Sequence, residues 1–171
     1  MIKSDLERLA HPSLGNFAKY YCFPKGTTFP YQVWLRVLCS CKQSKIKKFT
    51  IGIIAYILYR HYSFKYGISI DTNIRIGKGL CIMHGFGVTV NCRIIGDYFT
   101  IYQNTTVGSD KNNEVPTIGN NVTIYTGAVV IGNIIINDNS VIGANAFVNK
   151  DVPTNSIVVG IPAKPIDRLN K

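Results

Sequence analysis

Aliphatic side chains recur every six residues through the C-terminal two thirds of the chain, and no ordinary element has that period. The track runs Ile70, Ile76, Ile82, Val88 and Ile94, slips by one residue to Ile95, Ile101 and Val107, then breaks. It resumes as Ile118, Ile124, Val130, Ile136, Ile142 and Val148. A second track lies four residues after each, at Ile74, Leu80, Phe86, Cys92, Phe99, Thr105, Val122, Ala128, Ile134, Ser140 and Ala146. An α-helix repeats at 3.6 and a half-buried strand at 2. A period of six fits a parallel β-solenoid instead, each hexapeptide making one short strand and one turn, with three to a triangular coil. The first track points inward and stacks on its equivalent one coil away, and the second fills the corners. Glycine and asparagine in "GNN", "DNS" and "GAN" suit the positive φ of tight turns. Residues 68 to 159 leave room for roughly five coils. An antiparallel sandwich has no reason to keep a strict six. The expected fold is therefore mainly β, a parallel β-helix of hexapeptide repeats with a small α-helical N-terminal cap.

The break falls at "GSDKNNEVPT", residues 108–117. Extra residues at a turn must leave the solenoid, and polar loops on rigid scaffolds often carry function.

Charge divides the chain. Residues 1–66 hold eleven Lys/Arg against two Asp/Glu, and thirteen of the nineteen aromatics. Residues 67–171 are nearly balanced, with eight against seven. Three parts are expected: a basic aromatic helical region (1–66, with helices near 31–39 and 47–62), the β-helix (67–160) and a tail (161–171). The basic region calls for an anionic partner or is simply a solvated cap. No nucleic-acid motif is present. Arg36, Lys42, Lys45, Lys47 and Lys48 flank aromatics and aliphatics as interfacial anchors do, so peripheral contact with an anionic membrane is expected of this region. The most apolar run, "FTIGIIAYILY" (49–59), is too short to span a bilayer. Cys22, Cys39, Cys41, Cys81 and Cys92 are odd in number and match no zinc spacing. They read as reduced cytosolic thiols, with Cys81 and Cys92 packing as small side chains. The start of the chain shows no secretory signal, and a cytoplasmic location follows, with membrane contact peripheral at the inner face.

The hexapeptide track, "IGKGLCIMHG", "IGNN", "VIGAN" and the ending "DVPTNSIVVGIPAKPI" together resemble the hexapeptide acyltransferases of the left-handed β-helix fold. The resemblance covers residues 67–168 and is narrower to the serine acetyltransferase-like branch, which includes sugar O-acetyltransferases of capsule and exopolysaccharide synthesis. It implies a homotrimer with acetyl-CoA in the groove between neighbouring prisms and direct acetyl transfer to a hydroxyl. It also implies a base at His84, five residues after the second glycine of "IGKG" and the one histidine of the solenoid; His11 and His61 lie in the N-terminal region. Imidazole suits the task because a hydroxyl needs a base that works near neutral pH. A lone solenoid histidine excludes the three-histidine zinc site of carbonic anhydrases of this fold, and no metal is expected.

By the same resemblance the coenzyme lies along Thr126, Gly127, Gly143, Ala144 and the Gly160–Pro162–Lys164 ending, with Lys150 and Lys164 near its phosphates. The acceptor side departs from serine acetyltransferases. Ser69 stands where an aspartate orients the base, Met83 where an aspartate helps bind serine, and Val115 where a histidine precedes the closing proline, Pro116. Asp71, two residues from Ser69, is the expected substitute for the orienting carboxylate. The acceptor expected from these departures is a sugar hydroxyl, on a polysaccharide precursor or lipid-linked glycan. L-Serine and a non-catalytic trimeric scaffold are the rival expectations.

Overall fold

The structure is a computed structural model and describes residues 1–9, 28–41 and 45–166. His11, Cys22, Lys42 and residues 167–171 of the tail lie outside the described residues, as do the side chains of Lys45, Lys47 and Lys48.

Three parallel sheets form a triangular prism. Sheet A stacks β1 (Ile68–Ile70), β4 (Val88–Val90), β7 (Thr106–Gly108), β10 (Val129–Ile131) and β13 (Phe147–Val148). Sheet B stacks β2 (Arg75–Ile76), β5 (Ile94–Ile95), β8 (Thr117–Ile118) and β11 (Ile135–Ile136). Sheet C stacks β3 (Cys81–Ile82), β6 (Thr100–Ile101), β9 (Thr123–Ile124), β12 (Val141–Ile142) and β14 (Ile157–Val159). The chain visits A, B and C in turn through five coils. The last strand, β15 (Lys164–Ile166), then folds back antiparallel on β14.

The hexapeptide track is the core. Ile118, Ile124, Val130, Ile136, Ile142 and Val148 are all at most 2% exposed. Small or polar second-track residues fill the corners, where buried hydroxyls need partners. Thr105 Oγ1 donates to Tyr102 O (2.8 Å) and Ser140 Oγ to Pro153 O (2.9 Å). At the B–C corner the coils touch backbone to backbone. A Cβ on Gly96 would lie 2.5 Å from Gly119 C and O, so this position admits no side chain. Beside it, Asn121, Asn139 and Asn155 take left-handed φ of 52°, 58° and 59°, a conformation that asparagine tolerates. Their side chains link one to the next at 2.9 and 3.0 Å.

Two expectations fail here. Phe86 and Ile94 do not point inward; they are 62% and 44% exposed. The cause is the turn at residues 83–87. Eight positions separate Ile82 from Val90 of the next sheet-A strand, where six separate Ile101 from Val107. The first coil thus carries two extra residues at this turn. Val88 fills the corner that Phe86 was expected to fill, and Ile95 takes the inward place of Ile94.

The N-terminal region holds α1 (Ile2–Leu9), α2 (Phe29–Cys41) and α3 (Lys45–Tyr66); α2 and α3 are the two expected helices and outrun the expected spans at both ends. They cap the first coil, whose strand edges would otherwise leave backbone groups unpaired. For β1, Ile70 N donates to Tyr31 Oη (3.1 Å) and Tyr59 Oη donates to Ile70 O (2.7 Å). Burial raises the pKa of both tyrosines, which keeps the hydroxyls protonated for this task. For β2, Arg36 Nη1 donates to Ile76 O (2.7 Å). At β3, Thr28 Oγ1 donates to Ile82 O (2.8 Å), and the Gln32 amide, oriented as its neighbours require, accepts from Ile82 N (3.1 Å). Arg36 is therefore no interfacial anchor. It is 5% exposed, and its guanidinium forks onto the Asp5 carboxylate at 2.8 and 3.1 Å, the two-pronged geometry that holds arginine most firmly. Asp5 also accepts from Leu80 N (2.8 Å).

Cys81 and Cys92 pack as small buried side chains, each 4% exposed. Burial raises both thiol pKa values, that of Cys92 to about 12, so neither is a thiolate nucleophile near neutral pH.

Candidate active site

His84 sits in the widened turn between sheets C and A. Its φ is +57°, and the turn continues through Phe86 at +109° and Gly87 at +66°. Gly85 is held tight because a Cβ there would strike Thr28 of the cap. The two added residues push the His84 side chain out of the prism, where it is exposed. Its ring leans on Tyr102 (centroids 6.3 Å), which stacks on Tyr125 (4.9 Å). Among the described residues the imidazole has no hydrogen-bond or ion-pair partner.

The same corner of later coils gathers most of the expected coenzyme residues. Asn104 N donates to Phe86 O, Gly127 N to Gln103 O, Asn145 N to Thr126 O and Phe147 N to Gly160 O, a ladder climbing the C–A edge. Thr126, Gly127, Gly143, Ala144 and Gly160 thus share one edge with His84. Glycine is required structurally at two of them: a Cβ on Gly127 would run into Asn145 Oδ1, and one on Gly143 would lie 2.6 Å from Val159 Cγ1. Lys164, paired across from Val159, is exposed at the top of this edge. Lys150 follows β13 at the other end of sheet A and lies on the A–B corner instead.

Asp71 is not brought to His84. It follows β1 at the A–B corner, so the width of sheet A separates the two within one chain. Its carboxylate closes a local turn by accepting from Asn73 N (2.8 Å). A groove of about 340 Å³ runs past Asp71, Ser69, Thr89, Asn91, Tyr56 and Arg60 on the outer face of sheet A. The 109–116 loop also leaves at the A–B corner, tied internally by Asp110, which accepts from Asn112 N (2.8 Å) and Glu114 N (3.1 Å). It too is away from His84 in a single chain. The larger hollow, about 760 Å³ between sheet B and α2, holds the Lys78–Asp97 pair (3.8 Å) and never reaches the C–A edge. Neither hollow is lined by His84.

Residues 116–150 match the bacterial transferase hexapeptide family, described as six repeats. The serine acetyltransferase of Helicobacter pylori is 40% identical over 136 residues, covering 77% of this chain and 80% of that protein. The chain belongs to the serine acetyltransferase family of hexapeptide-repeat transferases. Family membership accounts for the left-handed β-helix with its helical cap. The serine acetyltransferase of Synechococcus elongatus is 43% identical over 106 residues, but the chain spans only 43% of its length. Soybean serine acetyltransferase, solved in complex with serine, superposes with a TM-score of 0.78 at 26% identity, covering 96% of this chain and 68% of that one. Against that family background, sequence reasoning missed the Tyr102–Tyr125 stack and Gln103. The signal for the stack was present as "TIYQN" and "TIYTG", each an aromatic directly after an inward isoleucine. No zinc-like group exists among the described residues.

Proposed function

We propose that this chain transfers the acetyl group of acetyl-CoA to a hydroxyl, with His84 as general base. The carrying observation is the exposed imidazole, without a partner among the described residues, on the same prism edge as Thr126, Gly127, Gly143, Ala144 and Lys164. The edge suits a long coenzyme arm: small side chains admit it, backbone groups line it, and Lys164 offers a cation for phosphate. Lys150 and Asp71 serve the same cleft only from a neighbouring subunit. The neutral ring takes the hydroxyl proton as the oxygen attacks the thioester carbon. When the C–S bond breaks, the imidazolium returns that proton to the leaving thiolate.

L-Serine is the acceptor that the relatives' names support. A sugar hydroxyl is the second reading, favoured by Ser69, Met83 and Val115, which offer no charge to a zwitterionic amino acid. Thiol release from acetyl-CoA is expected with serine. Turnover with sugars alone would overturn the serine reading, and an intact oligomer inert to every acceptor would favour the scaffold. The oligomer is a homotrimer in this reading, because His84 and the 109–116 loop sit at different corners and meet only across a subunit boundary. A monomer with full activity in light scattering would contradict that.

Peripheral membrane contact is proposed for α3. Its inner face buries Ala55 and Tyr59, yet Ile53, Ile54, Ile57 and Phe64 are 58–75% exposed on the outside. Arg60 lies over Phe64 at 4.6 Å, a cation beside an apolar surface. Among the described residues no helix is long and apolar enough to cross a membrane. The protein should sediment with anionic vesicles and be released by salt. Equal partitioning onto neutral and anionic vesicles would remove the electrostatic contribution.

A further inference from the structure

An exposed, unanchored imidazole and an orphaned buried acceptor lie in neighbouring coils of the C–A edge. The first is His84, whose neutral ring must carry one N–H donor and one lone pair, and which has no partner among the described residues. The second is Gln103, whose Oε1 is buried and accepts nothing; among the described residues it is the single buried side-chain polar atom in that condition. Buried acceptors are almost always satisfied, so an orphan inside a candidate site points to a partner that arrives or reorients. Gln103 directly follows Tyr102, the residue whose ring His84 leans on. Its neighbour Asn104 donates to Phe86 O (2.8 Å), which sets Gln103 one coil above the turn that carries His84. Successive coils are about 4.8 Å apart, within the reach of a glutamine side chain. The same chain's Asp71 does not compete, being at the other corner and engaged with Asn73 N.

We propose that Gln103 is the positioning residue for His84: its Oε1 accepts the ring N–H and so presents the other nitrogen's lone pair to the acceptor hydroxyl. This rests on His84 being the base. An amide oxygen fixes the tautomer as a carboxylate would, but without a full negative charge opposite the imidazolium.

The test uses the whole 171-residue chain, whose three histidines give a simple ¹⁵N imidazole spectrum. At alkaline pH the His84 ring should be held as one tautomer. Gln103→Met should turn it into a mixture and lower kcat by on the order of tenfold to a hundredfold, with the KM for acetyl-CoA unchanged. Gln103→Glu, equal in size, should restore the single tautomer. It should also move the acid limb of the rate profile to higher pH, since an adjacent carboxylate favours the protonated ring. If Gln103→Met loses its fold, Gln103→Asn, which withdraws the amide by one methylene, is expected to show the same mixture. An unchanged tautomer with unchanged kcat would overturn the proposal. So would a raised KM with kcat and tautomer intact, which would make Gln103 a substrate contact. The tautomer is read without turnover, so failure of this inference is separate from failure of the base assignment, which His84→Asn activity decides.

Discussion

Removing the imidazole of His84 should reduce acetyl transfer by on the order of 10²–10⁴-fold, the usual share of general-base catalysis. His84→Asn is the cleaner replacement. The backbone there has a φ of +57°. Alanine in that left-handed conformation would be strained by roughly 1–2 kcal/mol, whereas asparagine visits it readily. The fold and assembly should survive, because the ring is exposed and, among the described residues, rests only in tilted packing on Tyr102. Coenzyme affinity should change little, since the proposed coenzyme residues belong to other coils. Thermal melting and light scattering should therefore match the parent while thiol release disappears. Retention of full activity would remove His84 from the chemistry and place the base on another group.

Ile136→Asp should unfold the β-helix outright. Ile136 is fully buried in β11, paired with Ile118 on one side and bridged to Val152 on the other. A carboxylate placed there would lie inside a column of isoleucines without a partner, at a cost of several kcal/mol, and domain stabilities are only about 5–15 kcal/mol. Loss of far-ultraviolet β signal and aggregation on purification are the expected results. Ile136→Val, which deletes one methylene, should cost only about 0.5–1.5 kcal/mol and serves as control. A soluble, folded Ile136→Asp protein would mean that this side chain does not face the prism interior.

Burial of residues such as Ile136 was legible because a hexapeptide coil stacks like on like, so a local period reports a long-range contact. The same logic failed at Phe86 and Ile94. Val88 and Val90 are both inward and aliphatic, so the inserted pair around His84 left no gap in hydrophobicity, and the irregularity surfaced only later as the slip at Ile95. His84 was singled out through the register of "IGKG", not through any chemistry around it. Asp71 was expected beside it because proximity in sequence ignores the corner that each residue occupies. Within one chain, a carboxylate two residues from the expected place is a whole sheet width away from His84. Gln103 carries no sequence signal of its own, since an orphaned oxygen exists only after the coils are stacked. Arg36 looked like a surface cation for the same reason: its guanidinium reaches Ile76 O and Asp5 only when the helices are docked.

Tyr31, Tyr59, Arg36, Gln32 and Thr28 occupy the backbone groups on the underside of the first rung. Nothing in a solenoid limits its own growth; each rung is a template for another, whether it comes from the same chain or a different one. Those five side chains close one end, and β15, laid antiparallel against β14, covers part of the other. The helical region is therefore also a terminator that fixes the number of rungs. A chain stripped of it would offer an unpaired parallel edge to its neighbours, the geometry from which end-to-end filaments grow.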